Sequence, residues 1–410
     1  MNKKRLSPLF GAMLASFAFG AMAQTTGAVK PSYEIPGGDT RGDDGPRGMY
    51  LQDGVALYPS IGFSYGRDNN LFLSSRNATS SNVYTLSPGL KLQARGRSST
   101  FTFDYNSKFA KYEESRQDDY SDYRLGGVGE FVFSSRAGLR LSAEDNKGHD
   151  ARGSTDRGSS TDPDVFSNRG VSGLFAFGGN EARGRVEVEA GRFNKRYKNN
   201  RATTFGSDRD TDSFAGRFFT RLTAKTSFLF EARSAKLDYE SSTSLSDSTE
   251  RHYLAGVTWD ATAATSGTVK VGQIRKDFSV SSRKDFSGTG WDVNAQWAPL
   301  TYSRFGLFTL KDFRESTGVG DFILTKSYGV NWTHDWNSRL STIANIGRAN
   351  DDFINGGRSD STDSIGFKVN YKLHRWLTLG GELSNADRDS NIPTFRYKRN
   401  IYTFTIGATL

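Results

Sequence analysis

The stretch Tyr84-Thr85-Leu86-Ser87-Pro88-Gly89-Leu90-Lys91-Leu92-Gln93-Ala94-Arg95 alternates without a break. Tyr84, Leu86, Pro88, Leu90, Leu92 and Ala94 share one side of an extended chain, and Thr85, Ser87, Gly89, Lys91, Gln93 and Arg95 share the other. Side chains of a strand point alternately to opposite faces, so this stretch predicts a strand with an oily face and a wet face. The pattern recurs. Phe101, Phe103 and Tyr105 oppose Thr102, Asp104 and Asn106; Tyr123, Leu125, Phe131 and Phe133 oppose Arg124, Gly126 and Glu130. It returns at residues 253–259, 291–297, 328–332, 365–371 and 402–410, and less regularly near Val269 and Val271 and across 340–346.

Eighteen such segments, each of about ten residues, are centred near residues 61, 89, 105, 128, 141, 174, 188, 218, 231, 256, 271, 294, 308, 330, 344, 368, 380 and 406. Their connections alternate in length. Short turns are expected at 96–99, 134–137, 178–182, 223–226, 261–266, 298–303, 334–339 and 372–375, with polar loops between them, the largest over 146–163. An even number of alternating strands joined by short turns at one end and long loops at the other is the pattern of a membrane-spanning barrel. The expected fold is therefore all-β: a transmembrane antiparallel β-barrel of about 18 strands, with short periplasmic turns and long extracellular loops, over residues 55–410. A soluble sandwich or propeller also alternates, but does not pair long with short connections or need to end on an apolar-alternating strand.

Composition fits. The 410-residue chain is 24% charged and 35% hydrophobic, with a mean hydropathy of −0.59, yet 13% of it is aromatic and it holds 44 glycines. Those aromatics have a place if they face lipid. After the start of the chain no run of about 18 apolar residues occurs, which excludes a helical membrane protein. The absence of cysteine excludes disulfide frameworks, thiol catalysis and thiolate metal sites.

The first residues read as a secretory signal: Lys3, Lys4 and Arg5, an apolar run over 6–20, then Ala21-Met22-Ala23 before Gln24. Cleavage after Ala23 would remove residues 1–23 and send the rest out of the cytoplasm, with the cell outer membrane as the destination. The formal charge of +9 falls when those three basic residues leave, so nucleic acid is not an expected partner. Residues 24–54, with Pro31, Pro36, Pro46 and a Gly/Asp/Arg-rich stretch, bury too little apolar surface to fix one conformation. They read as a flexible periplasmic segment or a partial plug of the lumen.

The wet face carries both charge signs. Candidate lumen-lining residues are Lys91, Arg95, Arg124, Glu130, Arg140, Glu144, Arg217, Arg221, Glu231 and Arg233. They could brace a wide wall as an ion-pair ladder or handle a charged or hydroxyl-rich solute. Register decides: one pairing sets Arg217 opposite Glu231, while a slip of two sets it opposite Arg233. Aromatics near the outer strand ends (Tyr112, Tyr197, Phe205, Tyr239, Phe278, Phe322, Phe353, Phe395 and Tyr397) are expected to form an interfacial girdle, with stacking on sugar rings as the other option.

No chemistry-bearing motif emerges. His149, His252, His334 and His374 lack zinc-site spacing, and no serine has a distinctive setting, so neither enzyme activity nor a cofactor is expected. The run Asp208-Arg209-Asp210-Thr211-Asp212 starts like a calcium loop but has Ser213 and Phe219 where the turn glycine and closing glutamate belong.

Tyr58-Pro59, Tyr65, Asp68-Asn69-Asn70-Leu71-Phe72, Leu86-Ser87-Pro88-Gly89-Leu90, Tyr112, the Tyr120 and Tyr123 pair and Asp150-Ala151-Arg152-Gly153 together resemble the outer-membrane β-barrel porin family encoded in bacterial exopolysaccharide biosynthesis and export clusters. That resemblance implies a non-catalytic exit channel for a secreted or capsular polysaccharide, working beside a periplasmic polysaccharide export protein and surrounded by outer-membrane lipid. The residue-level alternative is a general or substrate-selective diffusion porin for small solutes. The family offers no catalytic residues, and its Asp-Asn-Asn motif would shape the loop after the first strand through local side-chain-to-backbone turns. The chain ends on Leu410, not on an aromatic, so recognition by the barrel assembly machinery would rest on Tyr402, Phe404 and the last alternation.

Overall fold

A computed structural model describes residues 48–157, 160–179, 182–262 and 264–410. The expected signal and the expected tail up to residue 47 lie outside the described residues. Among those described, the chain forms β1 (Met49–Gln52), β2 (Val55–Asp68), β3 (Ser81–Arg95), β4 (Ser99–Tyr112), β5 (Tyr120–Ser134), β6 (Ala137–Asp150), β7 (Asp164–Phe177), β8 (Gly184–Tyr197), β9 (Arg209–Thr223) and β10 (Thr226–Tyr239). It continues through β11 (Ser248–Thr262), β12 (Thr265–Phe278), β13 (Phe286–Leu300), β14 (Ser303–Arg314), β15 (Phe322–Asp335), β16 (Leu340–Ile354), β17 (Arg358–His374), β18 (Leu377–Ser390) and β19 (Tyr397–Thr409).

Each of the eighteen expected centres falls inside one of β2–β19. The strands are longer than expected, from 12 residues in β14 to 17 in β17. Alternation is legible only where oil meets water, and the strands continue past that zone with polar residues on both faces. Every strand pairs antiparallel with its sequence neighbour, and β19 closes on β2 from Ile401↔Asp68 to Thr409↔Ser60. The result is an 18-stranded transmembrane barrel. Closure leaves no edge, the one sheet arrangement that pairs all main-chain polar groups in hydrocarbon. The extra strand β1 covers β2 at Leu57 and Ala56, just beyond the point where β19 stops.

The ladders fix which side chains face out. Phe63, Tyr65, Phe103, Phe218, Phe230, Tyr253, Ile346, Ile365, Tyr402 and Phe404 are all exposed, forming an apolar belt. Toward the short-turn rim this outer face becomes aromatic. Trp297 and Phe305 stack at 5.3 Å, and His334 sits between Trp332 and Trp336 at 5.3 and 4.4 Å. Toward the long-loop rim it becomes charged: Arg192 pairs with Asp210 at 3.1 Å, Lys236 with Asp238 at 2.8 Å, Arg348 with Asp363 at 3.6 Å and Lys398 with Asp387 at 3.0 Å.

The Asp68–Asn70 motif does more than shape its own loop. Asp68 accepts from the Asn70 main-chain N–H at 2.9 Å, the local turn expected of it. It also receives the Arg399 guanidinium on both oxygens, at 3.1 and 3.0 Å through Nε. The Asn400 N–H donates to the Asn69 side chain at 2.7 Å, and the Asn70 amide donates to the carbonyls of Ser74 and Lys398, both at 2.9 Å. The motif therefore rivets β2 to β19 at the loop rim, where the closing ladder ends.

Replacing Asn70, which is 2% exposed, with alanine should orphan two carbonyls and a main-chain N–H and destabilise the barrel by about 2–3 kcal/mol. The check is the midpoint of heat-induced unfolding in detergent, followed by the gel-mobility shift between folded and unfolded barrel. An unchanged midpoint would mean that the seam does not depend on the motif.

Candidate functional site

The lumen has two unlike halves. Along β8–β12 the inner face is packed with interlocked charges. Arg217, whose side chain is 4% exposed, lies opposite Glu231 in the ladder and binds it at 2.7 Å, with Glu189 at 2.9 Å and Glu187 at 3.8 Å. Arg185 also binds Glu187. Lys270 joins Glu231 at 3.4 Å to Asp292 at 2.8 Å. Arg233 lies opposite Ala215 and reaches Asp312 at 2.9 Å, which also takes His252 at 2.6 Å. The register left open by the sequence is thus the opposite-charge one, and the like-charge contact between Arg217 and Arg233 does not form.

Elsewhere the charged side chains of the inner face are more exposed. Arg124 is 66% exposed and meets Glu144 at 3.6 Å; Arg140 and Glu130 approach to 4.0 Å. Lys91 faces Asp104 in the ladder, Arg95 bonds Gln93 at 3.2 Å, and Arg221 caps the carbonyls of Thr223 and Ala224 near its turn. The ten candidates therefore share the inner face but not one site. Arg217, Glu231 and Arg233 belong to a buried network, whereas Arg124, Glu130, Arg140 and Glu144 border open space.

At the loop rim the mouth is crossed from both sides. β13 pairs with β14 only up to Trp291↔Lys311, so the last residues of β14 leave the wall while remaining paired to β15. Phe313, Phe322 and Leu324 then pack with Ile274 on the inner side, together with Phe278, Phe286 and Ile354. Lys276 sits at the foot of this bent hairpin with no side-chain exposure, bound to Glu250 at 2.9 Å and to Glu315 at 2.6 Å.

From the far side comes the loop between β6 and β7. Its Arg152 bonds Asp118 at 2.9 Å through Nε and lies over the Phe72 ring at 3.9 Å. Gly153 has φ of +75°, and a Cβ there would stand 2.2 Å from the Phe72 carbonyl oxygen, so both backbone shape and space demand glycine. The motifs Asp-Asn-Asn-Leu-Phe and Asp-Ala-Arg-Gly, eighty residues apart in sequence, meet here. Arg157 then binds Asp164 at 2.7 Å and Ser207 at 3.1 Å. Between these anchors Asp156 reaches the loop joining β14 to β15. It accepts from the main-chain N–H groups of Thr317, Gly318 and Val319 at 3.0, 2.9 and 2.9 Å, and from the Ser316 hydroxyl at 2.8 Å. Burial would raise its carboxyl, but the Thr317 hydroxyl and these N–H donors outweigh burial and hold it below the ordinary carboxylate range.

The expected outer girdle is corrected here. Phe322, Tyr197 and Phe353 are 0, 3 and 6% exposed. Tyr197 bonds Asp150 at 2.7 Å, Tyr239 bonds Glu315, and the Arg358 guanidinium lies between Phe353 and Phe395 at 4.4 and 3.4 Å. Tyr197, Tyr239 and Phe353 stand on the inner side because each shares the parity of the wet face, whereas Phe322 has the outer parity of Tyr328 and Val330 and is covered because the bent hairpin folds that face onto Ile274 and Phe286. The acidic run at 208–212 is held by arginines, with Asp208 on Arg201 at 2.8 Å and Asp210 on Arg196 at 2.6 Å. Among the described residues no cluster of three His, Cys, Asp or Glu is placed to hold a metal. Sequence reading missed Asp156 because an aperiodic polar loop gives no sign of its reach. It also missed Glu250, His252, Lys276 and Asp312, although the parity of their strands was available.

Compared with known proteins, residues 47–409 match the family described as "Putative beta-barrel porin 2". No curated protein matches. Among solved structures, OpdK of Pseudomonas aeruginosa with vanillate is 11% identical over 86% of this chain and 99% of its own, with a TM-score of 0.50. OccAB2 of Acinetobacter baumannii is 11% identical over 87% and 98%, also at 0.50. The FrpB iron transporter of Neisseria meningitidis, at 11% identity and a TM-score of 0.47, aligns over 82% of this chain, which spans 62% of FrpB. Likeness at this identity is likeness of fold.

Replacing Arg217 with leucine should remove the cation shared by three carboxylates, leaving Glu187 to Arg185 and Glu231 to Lys270, and destabilise the barrel by about 3–5 kcal/mol, with partial recovery on adding Glu231→Gln. Urea unfolding in detergent would measure both. The Asp156 tether follows a depressed carboxyl, so its contribution is complete above the ordinary carboxylate range and is lost as pH falls through the lower folded value. Pepsin cleavage within 151–163 should accordingly stay slow down to about pH 4 and accelerate below it, an acceleration that Asp156→Asn should blunt.

Proposed function

The chain belongs to this β-barrel porin family, and on that footing we propose that it is a substrate-selective diffusion channel of the outer membrane, admitting small solutes without catalysis. In this reading residues 1–23 direct export, residues 24–54 lie in the periplasm with the short turns, and the long loops face outward. Outer-membrane lipid covers the belt, and the assembly machinery inserts the barrel.

The observation that carries the proposal is the crossed mouth. The β6–β7 loop reaches the β14–β15 loop across eight strands of an 18-stranded ring, so the path is divided at the loop rim. A small hydrated molecule can pass beside such a bridge more readily than a long chain can be threaded under it. The two-sided lumen supports the same reading. Buried ion pairs stiffen one half, while the residues bordering open space, including Arg124, Glu130, Arg140 and Glu144, alternate in sign along the other and would select by charge placement and width. Export of a polysaccharide, the role implied by the family resemblance, fits this mouth less well.

The test is swelling of proteoliposomes loaded with an impermeant polymer and exposed to sugars, amino acids and oligosaccharides of increasing length. Uptake of monomers with a sharp decline at oligomers is expected. Channels that ignore monomers but are blocked by long polymer would return the export reading to first place.

A further inference from the structure

The site that receives Asp156 has the form of a receptor. Three consecutive main-chain N–H groups, from Thr317, Gly318 and Val319, converge on one carboxylate at 3.0, 2.9 and 2.9 Å, and the hydroxyls of Ser316 and Thr317 add two more donors. Successive N–H groups arranged in this way make an anion-binding concavity whose affinity resides in the main chain. All five donors belong to one loop, and the carboxylate arrives from another, about 160 residues away in sequence.

The loop is shaped by contacts that do not involve Asp156. Gly320 turns at φ of +77° against the Ile354 carbonyl. The next residue, Asp321, donates its N–H to that same carbonyl at 2.9 Å and is held by Arg283 at 3.1 Å. A concavity built by its own hairpin keeps its form when its occupant leaves. The strap, by contrast, can swing about its remaining anchors at Arg152 and Arg157.

We propose that residues 316–319 form a carboxylate-binding site at the pore mouth, filled in the resting channel by the side chain of Asp156, and that a carboxylate-bearing solute opens the path by taking its place. The inference rests on the porin reading and deepens it, since it names the class of solute and the contact that solute must displace. The low carboxyl pKa of Asp156 is consistent with a site built for the ionised group. Because a tethered ligand competes at an effective concentration on the order of millimolar, displacement needs solute in that range or above.

Full-length protein in planar bilayers tests this, with potassium acetate replacing potassium chloride at constant ionic strength and with dwell times, not conductance, as the readout. Millimolar acetate should shorten the low-conductance dwells of the wild type. Asp156→Ala should shorten them roughly tenfold or more without acetate and should abolish the acetate response. Thr317→Ala, which removes one hydroxyl donor and spares the main chain, should give an intermediate dwell and retain the response. Wild-type and Asp156→Ala channels with equal dwell times, or acetate acting equally on both, would overturn the proposal. Such a result would leave the diffusion reading intact, because monomer uptake into liposomes is scored separately and does not depend on who occupies the concavity.

Discussion

A peptide group in hydrocarbon has no water to bond, so each N–H and C=O of a crossing strand needs a partner strand. Seventeen of the eighteen ladders can rely on hairpins that hold their partners close in sequence; the ladder between β2 and β19 cannot. It joins residues more than three hundred positions apart and spans nine pairs, from Ile401↔Asp68 to Thr409↔Ser60. The remainder of the architecture depends on that closure. This gives the Asp68–Asn70 motif a physical meaning beyond a local turn, since its side chains bond Arg399, Asn400 and the Lys398 carbonyl at the point where the ladder runs out. At the opposite end β1 covers the short length of β2 that β19 does not reach.

Most of the wall was legible in the sequence because the rule behind it is local. A strand between lipid and water must alternate, and residues such as Tyr84 to Arg95 carry that signal without help from the remainder of the chain. Register was half legible. Arg217 could face Glu231 or Arg233 on pattern alone, and the choice is made by the turn at 224–225 and the summed fit of the neighbouring ladders. The aromatics near the loop rim misled for an instructive reason. Tyr197, Tyr239, Phe322 and Phe353 sit at the height expected of an interfacial ring, but the parity of Tyr197, Tyr239 and Phe353 and the inward bend of the hairpin that carries Phe322 place them inside, where they serve as apolar fill and ring partners for lysines and arginines. Height was read correctly and side was not.

The mouth was the least legible part. The loop holding Arg152, Asp156 and Arg157 has no periodicity, and its partners lie on loops far away in the chain. Only Gly153 hinted at a special backbone, and nothing in its neighbourhood named Phe72 as the reason. Function is concentrated where local rules fail, since a bridge across a pore must be held by contacts of long sequence separation. The bent hairpin of β14 and β15 belongs to the same class: its apolar cluster of Ile274, Phe313, Phe322 and Leu324 reads as ordinary strand sequence until β13 and β14 part.

The outer surface has one remaining consequence. Its short-turn rim is dressed in tryptophan and tyrosine, and its long-loop rim in paired charges such as Lys236 with Asp238 and Arg192 with Asp210. A cylinder decorated in this way has a draught line, as a hull does. Sinking toward the turn side would drag those arginines and lysines into hydrocarbon at about 2–4 kcal/mol apiece near the midplane, while rising would pull the indoles out of the interface they favour. Immersion depth is thereby set from outside, independently of anything that happens in the bore.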